Sequence, residues 1–144
     1  MWPHVKVELA KRINEIKEEY LKASTTSTSS SPQTQDVRVI VVEAAVLLDA
    51  GWDDLLDGVW IVTTSTETAL ERLMTTRNLS KEESMKRIEA QSARRGMSST
   101  TIQDEVNNGI VTNVISNDGT LDELQRSLLE ALKDPKSWKN RVSS

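Results

Sequence analysis

Two β-branched runs, "VRVIVV" at residues 37–42 and "GVWIVTT" at residues 58–64, set the strongest constraint on how this chain folds. Neither alternates apolar with polar residues, as a strand wetted on one face does. A nearly continuous apolar run of this length reads as a strand covered on both faces, the pattern of a parallel sheet. "IVTNVI" at residues 110–115 is a third strand candidate.

The sequence between the runs supplies helices. Val5, Leu9, Ile13, Ile16 and Tyr20 stand at helical spacing, with Lys6, Lys11, Arg12, Glu15, Glu18 and Glu19 largely on other faces, so residues 5–22 read as an amphipathic helix with Pro3 at its start. No strand precedes it. "LLDAGWDDLLD" fits a short helix or turn. Thr64 with Glu67, Ser80 with Glu83 and Thr120 with Glu123 each have the spacing of a capping box. The first box precedes Ala69, Leu70, Leu73 and Met74. The second opens a helix running to about Gln91, and the third opens one bearing Leu121, Leu124, Leu128 and Leu132. Thr100–Val106 reads as a short helix ending near Gly109, "NDG" reads as a tight turn, and residues 134–144 read as a tail. Strand and helix alternate, so the class is α/β with a parallel sheet. The Ser/Thr-rich stretch over residues 23–36 has almost no apolar side chain to offset its conformational entropy and reads as a disordered surface insert.

With 144 residues, 37% of them hydrophobic, the chain fits a single domain. Its net charge of −4 is spread among interspersed residues of both signs, which favours neither nucleic acid nor an anionic membrane as partner. The absence of cysteine removes thiol nucleophiles and thiolate metal sites, and the single histidine, His4, builds no histidine cluster. Any metal is therefore expected to be a hard cation on oxygen ligands. No run of about 18 apolar residues and no leader pattern occurs, so the chain reads as soluble and cytoplasmic, with mitochondrial association left open.

Ligands of open α/β sheets bind beyond the carboxyl ends of the strands, which draws attention to Glu43. A carboxylate there can hold magnesium directly or through water; it can equally cap a helix or pair with a base. Arg87, Gln91, Arg94 and Arg95 fall at i, i+4, i+7 and i+8, with Arg72 and Arg77 upstream. Such a stripe suits a lid over a polyphosphate, because guanidinium groups grip phosphate oxygens bidentately. It also suits a solvated face paired with Glu82, Glu83 and Glu89. There is no G-x-x-x-x-G-K-[ST] loop, no G-x-G-x-x-G and no Ser-His-Asp set.

The stretch "VVEAAVLLDAGWDDLLDGVWIVTTSTETALERLMTTRNLSKEESMKRIEAQ", with "VISNDGTLDEL" further on, resembles the dephospho-coenzyme A kinases. It is most similar to the kinase half of the eukaryotic bifunctional coenzyme A synthases. "MWP" looks like the eukaryotic form of that family's His-Pro helix start. The likeness covers residues 1–22 and 37–132.

The resemblance implies a P-loop nucleotide-kinase-like parallel sheet with flanking helices and a helical lid over about 79–108. It is incomplete here, with residues 1–133 as the C-terminal part of the kinase domain. The implied reaction is transfer of the ATP γ-phosphoryl to the 3′-hydroxyl of dephospho-coenzyme A, with Mg2+. Glu43 and Asp49 then lie near the acceptor and, for Glu43, indirectly near the metal. Arg77 matches the arginine before the lid helix, and Gln91 with Arg94 or Arg95 matches its phosphate-facing end; with Arg87 of the stripe these are expected toward the ATP phosphates, and Asn117 near the adenine. Asp49 stands where the family usually has glutamate. The glycine-rich phosphate loop, the catalytic base and the strand between residues 37–42 and 58–64 are expected in sequence absent from these residues, as is any adenylyltransferase domain.

Two functions of different class follow: a kinase represented by its C-terminal part, or a non-catalytic remnant that binds a nucleotide weakly or a protein partner. For the insert, mobility over residues 24–35 is expected, and deleting most of it should leave the midpoint of unfolding nearly unchanged. Strong amide-exchange protection there would contradict that expectation.

Overall fold

The computed structural model describes residues 2–26, 38–95 and 99–139, with backbone alone for Trp2, residues 24–26, Arg94, Arg95 and residues 99–101. The chain divides into two compact units, Met1–Leu55 and Leu56–Ser144. Among the described residues no helix is long and apolar enough to cross a membrane.

In the first unit, α1 spans Trp2–Thr26, longer at both ends than its apolar pattern predicts. Its helical turns take in Ala23–Thr26, the start of the expected disordered insert; most of that insert lies outside the described residues. The less exposed stripe includes Lys6, Leu9, Ile13, Ile16 and Tyr20, with Ile13 buried and Val5 exposed. Lys6 thus takes the place expected of Val5 at the head of the stripe. Its ammonium donates to the Gly51 carbonyl at 2.8 Å and pairs with Asp54 at 2.7 Å. This holds the 45–55 segment, a turn followed by the 3-10 turn Asp53–Leu55, against α1. Gly51 has φ of +64°, a conformation that costs a side-chain-bearing residue energy. Leu47 and Trp52 are buried beside it in sequence, and the Arg38 guanidinium lies 4.4 Å from the centre of the Tyr20 ring.

The strand expected at residues 37–42 does not form over its described part. Residues 38–44 have no regular structure, and Val41 is 82% exposed. A strand exists through its ladder, and among the described residues of this unit there is no second strand to pair with, so β propensity alone leaves the segment irregular.

The second unit runs β1 (Trp60–Thr63), α2 (Thr66–Arg77), α3 (Lys81–Arg95), α4 (Ser99–Asn107), β2 (Asn113–Ser116), α5 (Leu121–Lys133) and a 3-10 turn at Pro135–Ser137. β1 and β2 pair in parallel, Trp60 opposite Asn113 and Thr63 opposite Ser116. Ile61, Ile115, Val59, Val111 and Ala131 form the core of this unit. β2 starts three residues later than expected. The Ile110 and Val111 amides are spent on the Glu105 carbonyl, closing α4 through Gly109 at φ +74°, and the ladder becomes available only from Thr112.

The described part of the expected tail is packed. Ser137 is fully buried: its carbonyl accepts from Thr112 Oγ1 at 2.6 Å and from Trp60 Nε1 at 3.0 Å, and its hydroxyl accepts from Asn113 Nδ2 at 2.8 Å. The Trp138 ring tilts against Trp60, centroids 5.4 Å apart. Gly58 lies under this turn, and a Cβ there would stand 2.6 Å from the Ser137 carbonyl oxygen and 3.2 Å from the Trp138 ring. The obstacle on one side is backbone, which cannot simply swing away. Gly58→Ala should therefore destabilise the protein by about 1–3 kcal/mol, the usual cost of overpacking, measured by denaturant unfolding; an unchanged midpoint would show that the turn is loosely held.

Candidate functional site

Parallel pairing puts the carboxyl ends of β1 and β2 on one edge of the sheet. Two chain segments leave there: Thr64–Ser65 into α2, and Asn117–Thr120 into α5. Asn117 prolongs the pairing by one bond, its amide donating to the Thr63 carbonyl at 2.8 Å. The two exits are thereby fixed side by side.

Each exit must satisfy the free amides at the start of a helix. At α5 the solution is local. Thr120 Oγ1 accepts from the Glu123 amide at 3.2 Å, and the Glu123 carboxylate accepts from the Thr120 amide at 2.7 Å. The sequence predicts this box, and likewise the one at α3, where Ser80 and Glu83 exchange the same bonds. Glu83 is thus engaged at the helix start, which draws it away from the arginine stripe. Gly119 precedes the α5 box, and a Cβ there would overlap the Glu123 carboxylate.

At α2 the sequence expectation needs correcting. Ser65, not Thr64, is the cap, its hydroxyl accepting from the Thr68 amide at 3.2 Å. The second half of the box comes from far along the chain. Asp118 Oδ1 accepts from the Ser65 amide at 2.6 Å, the bond that Glu67 would have given to Thr64 in a local box, while Asp118 Oδ2 accepts from Ser116 Oγ at 3.0 Å. From α2, Arg72 Nη2 donates back to the Gly119 carbonyl at 3.2 Å.

These bonds set the electrostatics. The Ser65 amide above all holds the Asp118 carboxyl below its ordinary value; desolvation opposes it, and the Ser116 hydroxyl adds a smaller lowering contribution. The Thr120 amide and hydroxyl do the same for Glu123, with Arg126 adding to it. In the first unit Lys6 lowers Asp54. Both helix starts at the strand-end edge thus already face a carboxylate of the chain itself, which offsets their attraction for an anion. Between them stands Asn117, half-buried, carrying an amide with two donors and an acceptor. Such an edge suits a neutral, hydrogen-bonding ring better than a phosphate.

The remaining residues singled out in the sequence are distributed as follows. Arg77 is exposed in the last turn of α2, which ends at Asn78 in a left-handed conformation. Arg87 and Gln91 are exposed one turn apart on α3; the side chains of Arg94 and Arg95, in its last turn, lie outside the described residues. Glu43 and Asp49 are exposed and belong to the first unit. Among the described residues no three acidic or histidine side chains gather as a metal site. A single exposed carboxylate such as Glu43 fits magnesium only as the protein's one ligand to an ion held mainly by phosphates and water. A recess of about 250 Å3 between β2 and α5, lined by Asn113, Ser116, Ser127, Glu130 and Asp134 among others, includes none of the predicted site residues. Sequence reasoning missed Asp118 and Ser65, whose partnership spans 53 residues and leaves no local signal.

A sequence profile described as dephospho-CoA kinase matches residues 8–123. Among curated proteins, the dephospho-CoA kinase of Dehalococcoides mccartyi is 29% identical over 84 residues, covering 58% of this chain and 42% of that protein. The dephospho-CoA kinase of Geobacter sulfurreducens is 36% identical over 94 residues, covering 65% of this chain and 43% of that protein. The chain thus spans about two fifths of the length of these relatives. No solved structure matches it.

The lowered carboxyl values fix a sign for acid stability. A group whose value is depressed in the folded state contributes stability above its ordinary value and loses that contribution as pH falls through the depressed one. Glu123→Gln should therefore lower stability near neutrality and flatten its decline as pH falls through and below the ordinary glutamate range. An acid limb unchanged by the substitution would contradict the Thr120–Glu123 box.

Proposed function

We propose that this chain, which belongs to the dephospho-CoA kinase family, carries the adenine-side turn, the lid and part of the acceptor wall of an enzyme that transfers the γ-phosphoryl of ATP to the 3′-hydroxyl of dephospho-coenzyme A. The observation that carries this is the family match over residues 8–123, which takes in α1, the 45–55 turn, β1, α2–α4 and the turn at the end of β2. The finer reading, likeness to the kinase half of eukaryotic coenzyme A synthases, rests on "MWP" and "VLLDAGW".

In this reading Asn117 faces the adenine at the strand-end edge. The arginines close from the helical side: Arg77 at the end of α2, then Arg87, Gln91, Arg94 and Arg95 along α3, where fixed guanidinium forks stabilise charge on the transferring phosphoryl group. Glu43 and Asp49 belong to the acceptor side, where Glu43 would hold a magnesium ion indirectly. When bound, that ion neutralises phosphate charge. Among the described residues β1 is paired along one edge only, by β2, which leaves its other edge for a strand bearing a glycine-rich phosphate loop. No such loop occurs within the 144 residues.

Two outcomes test the reading. The 144-residue chain by itself should not phosphorylate dephospho-coenzyme A with ATP, because losing even one preorganised donor to the developing charge slows such reactions by about a hundredfold or more. Measurable turnover of the purified chain would sink this. In a protein that joins these residues to a phosphate loop and is active, replacing Arg94 and Arg95 together by alanine should cut kcat by at least about tenfold while shifting the unfolding midpoint little, as expected of groups that act on phosphate charge. Unchanged kinetics would reduce the stripe to a solvated face.

A further inference from the structure

The turn at the end of β2 is held from outside itself. Its Asp118 completes the capping box of α2 through the Ser65 amide at 2.6 Å, and Arg72, two turns into the same helix, returns a bond to the Gly119 carbonyl at 3.2 Å. Neither bond is needed by the turn's own helix, which Thr120 and Glu123 already cap. Both tie α2 to the two residues that follow Asn117. Meanwhile Asn117 is fixed from the other side by its amide bond to the Thr63 carbonyl at 2.8 Å.

We propose that Asp118 and Arg72 are positioning residues for the nucleotide, a two-point clasp that sets the height and angle of the Asn117 turn relative to α2. This rests on the reading of Asn117 as the residue facing the adenine. The chemistry recognised is a neutral heterocycle with hydrogen-bonding edges, held by an amide whose placement depends on its neighbours. A turn free to move by an ångström would present that amide in several orientations and lose affinity in proportion to the fraction mis-set. The clasp removes that freedom by using a carboxylate and a guanidinium that contact α2 and the turn, not the ligand. Because α2 runs through Asn78 into α3, the same clasp links the base-side turn to the helices that carry the arginines.

Amide exchange on the full 144-residue chain tests the clasp without any ligand. In Asp118→Ala, the Ser65 and Asn117 amides should exchange roughly three- to tenfold faster, with α3 amides unaffected, as expected for losing one cap-strength bond. Asp118→Asn, which keeps an acceptor at the same place, should restore most of the protection. Arg72→Ala should speed Asn117 exchange while sparing the Ser65 cap bond. Uniform acceleration throughout the chain, or none at these two amides, would overturn the clasp.

Titration of the same proteins with ATP, followed at the backbone amide signal of residue 117, tests the positioning role. Asp118→Ala should weaken the ATP-induced shift severalfold, Asp118→Asn should not, and adding Asn117→Ala to Asp118→Ala should cost little more, since both act through one amide. Additive losses would overturn positioning through Asn117. If ATP leaves the Asn117 signal of the unsubstituted chain unmoved while the exchange results hold, the clasp stands as structure, and the adenine assignment falls, taking the positioning role with it.

Discussion

Parallel pairing of β1 with β2 is the constraint on which the second unit depends. Parallel strands cannot be joined by a tight turn, so α2, α3 and α4 must all lie within the connection between them. The same geometry brings the exits of both strands to a common edge, where two helix starts have to be capped a short distance apart. Burial of Ile61 and Ile115 stabilises the pairing by about 1.5–3 kcal/mol for each side chain. The polar contacts at the edge are exposed and contribute little to overall stability, so they govern where the turns stand more than whether the unit folds.

The features legible in the sequence were those whose partners lie within one helical turn. Ser80 with Glu83 and Thr120 with Glu123 could be read directly, because spacing encodes both halves of each box. The amphipathic stripe of α1 was equally visible, except that Lys6 fills a place where an apolar residue was expected, and its acceptors, Gly51 and Asp54, lie about 45 residues away. What failed was long-range. Thr64 had the right spacing to Glu67, but the carboxylate that caps α2 comes from Asp118. Residues 37–42 have strand-forming side chains, yet side chains do not specify a partner. The turn at Ser137 and Trp138 looked like a polar tail because its burial comes from Trp60, Thr112 and Asn113. For the site, residue types and helical faces could be read, whereas the α2–turn bonds that frame Asn117 could not.

Charge is distributed in a way that divides labour. The helix starts at the strand-end edge are answered by Asp118 and Glu123, so positive potential there is largely spent within the protein. Among the described residues, uncommitted guanidinium groups are found instead at Arg77 and Arg87, exposed at the end of α2 and along α3. In the proposed reading, a ligand with a neutral ring and an anionic chain would meet complementary surroundings: the ring at the edge, the chain toward the arginines.

The borrowed cap of α2 also has a consequence for order in time. α3 and α5 carry both halves of their starting signals and can form their first turns as soon as those few residues meet. α2 carries one half. Its first turn is completed only after the chain has closed a loop of 53 residues and set β2 beside β1, because no nearer carboxylate takes the Ser65 amide. The helix that comes first along the unit therefore has its beginning finished after those of α3 and α5.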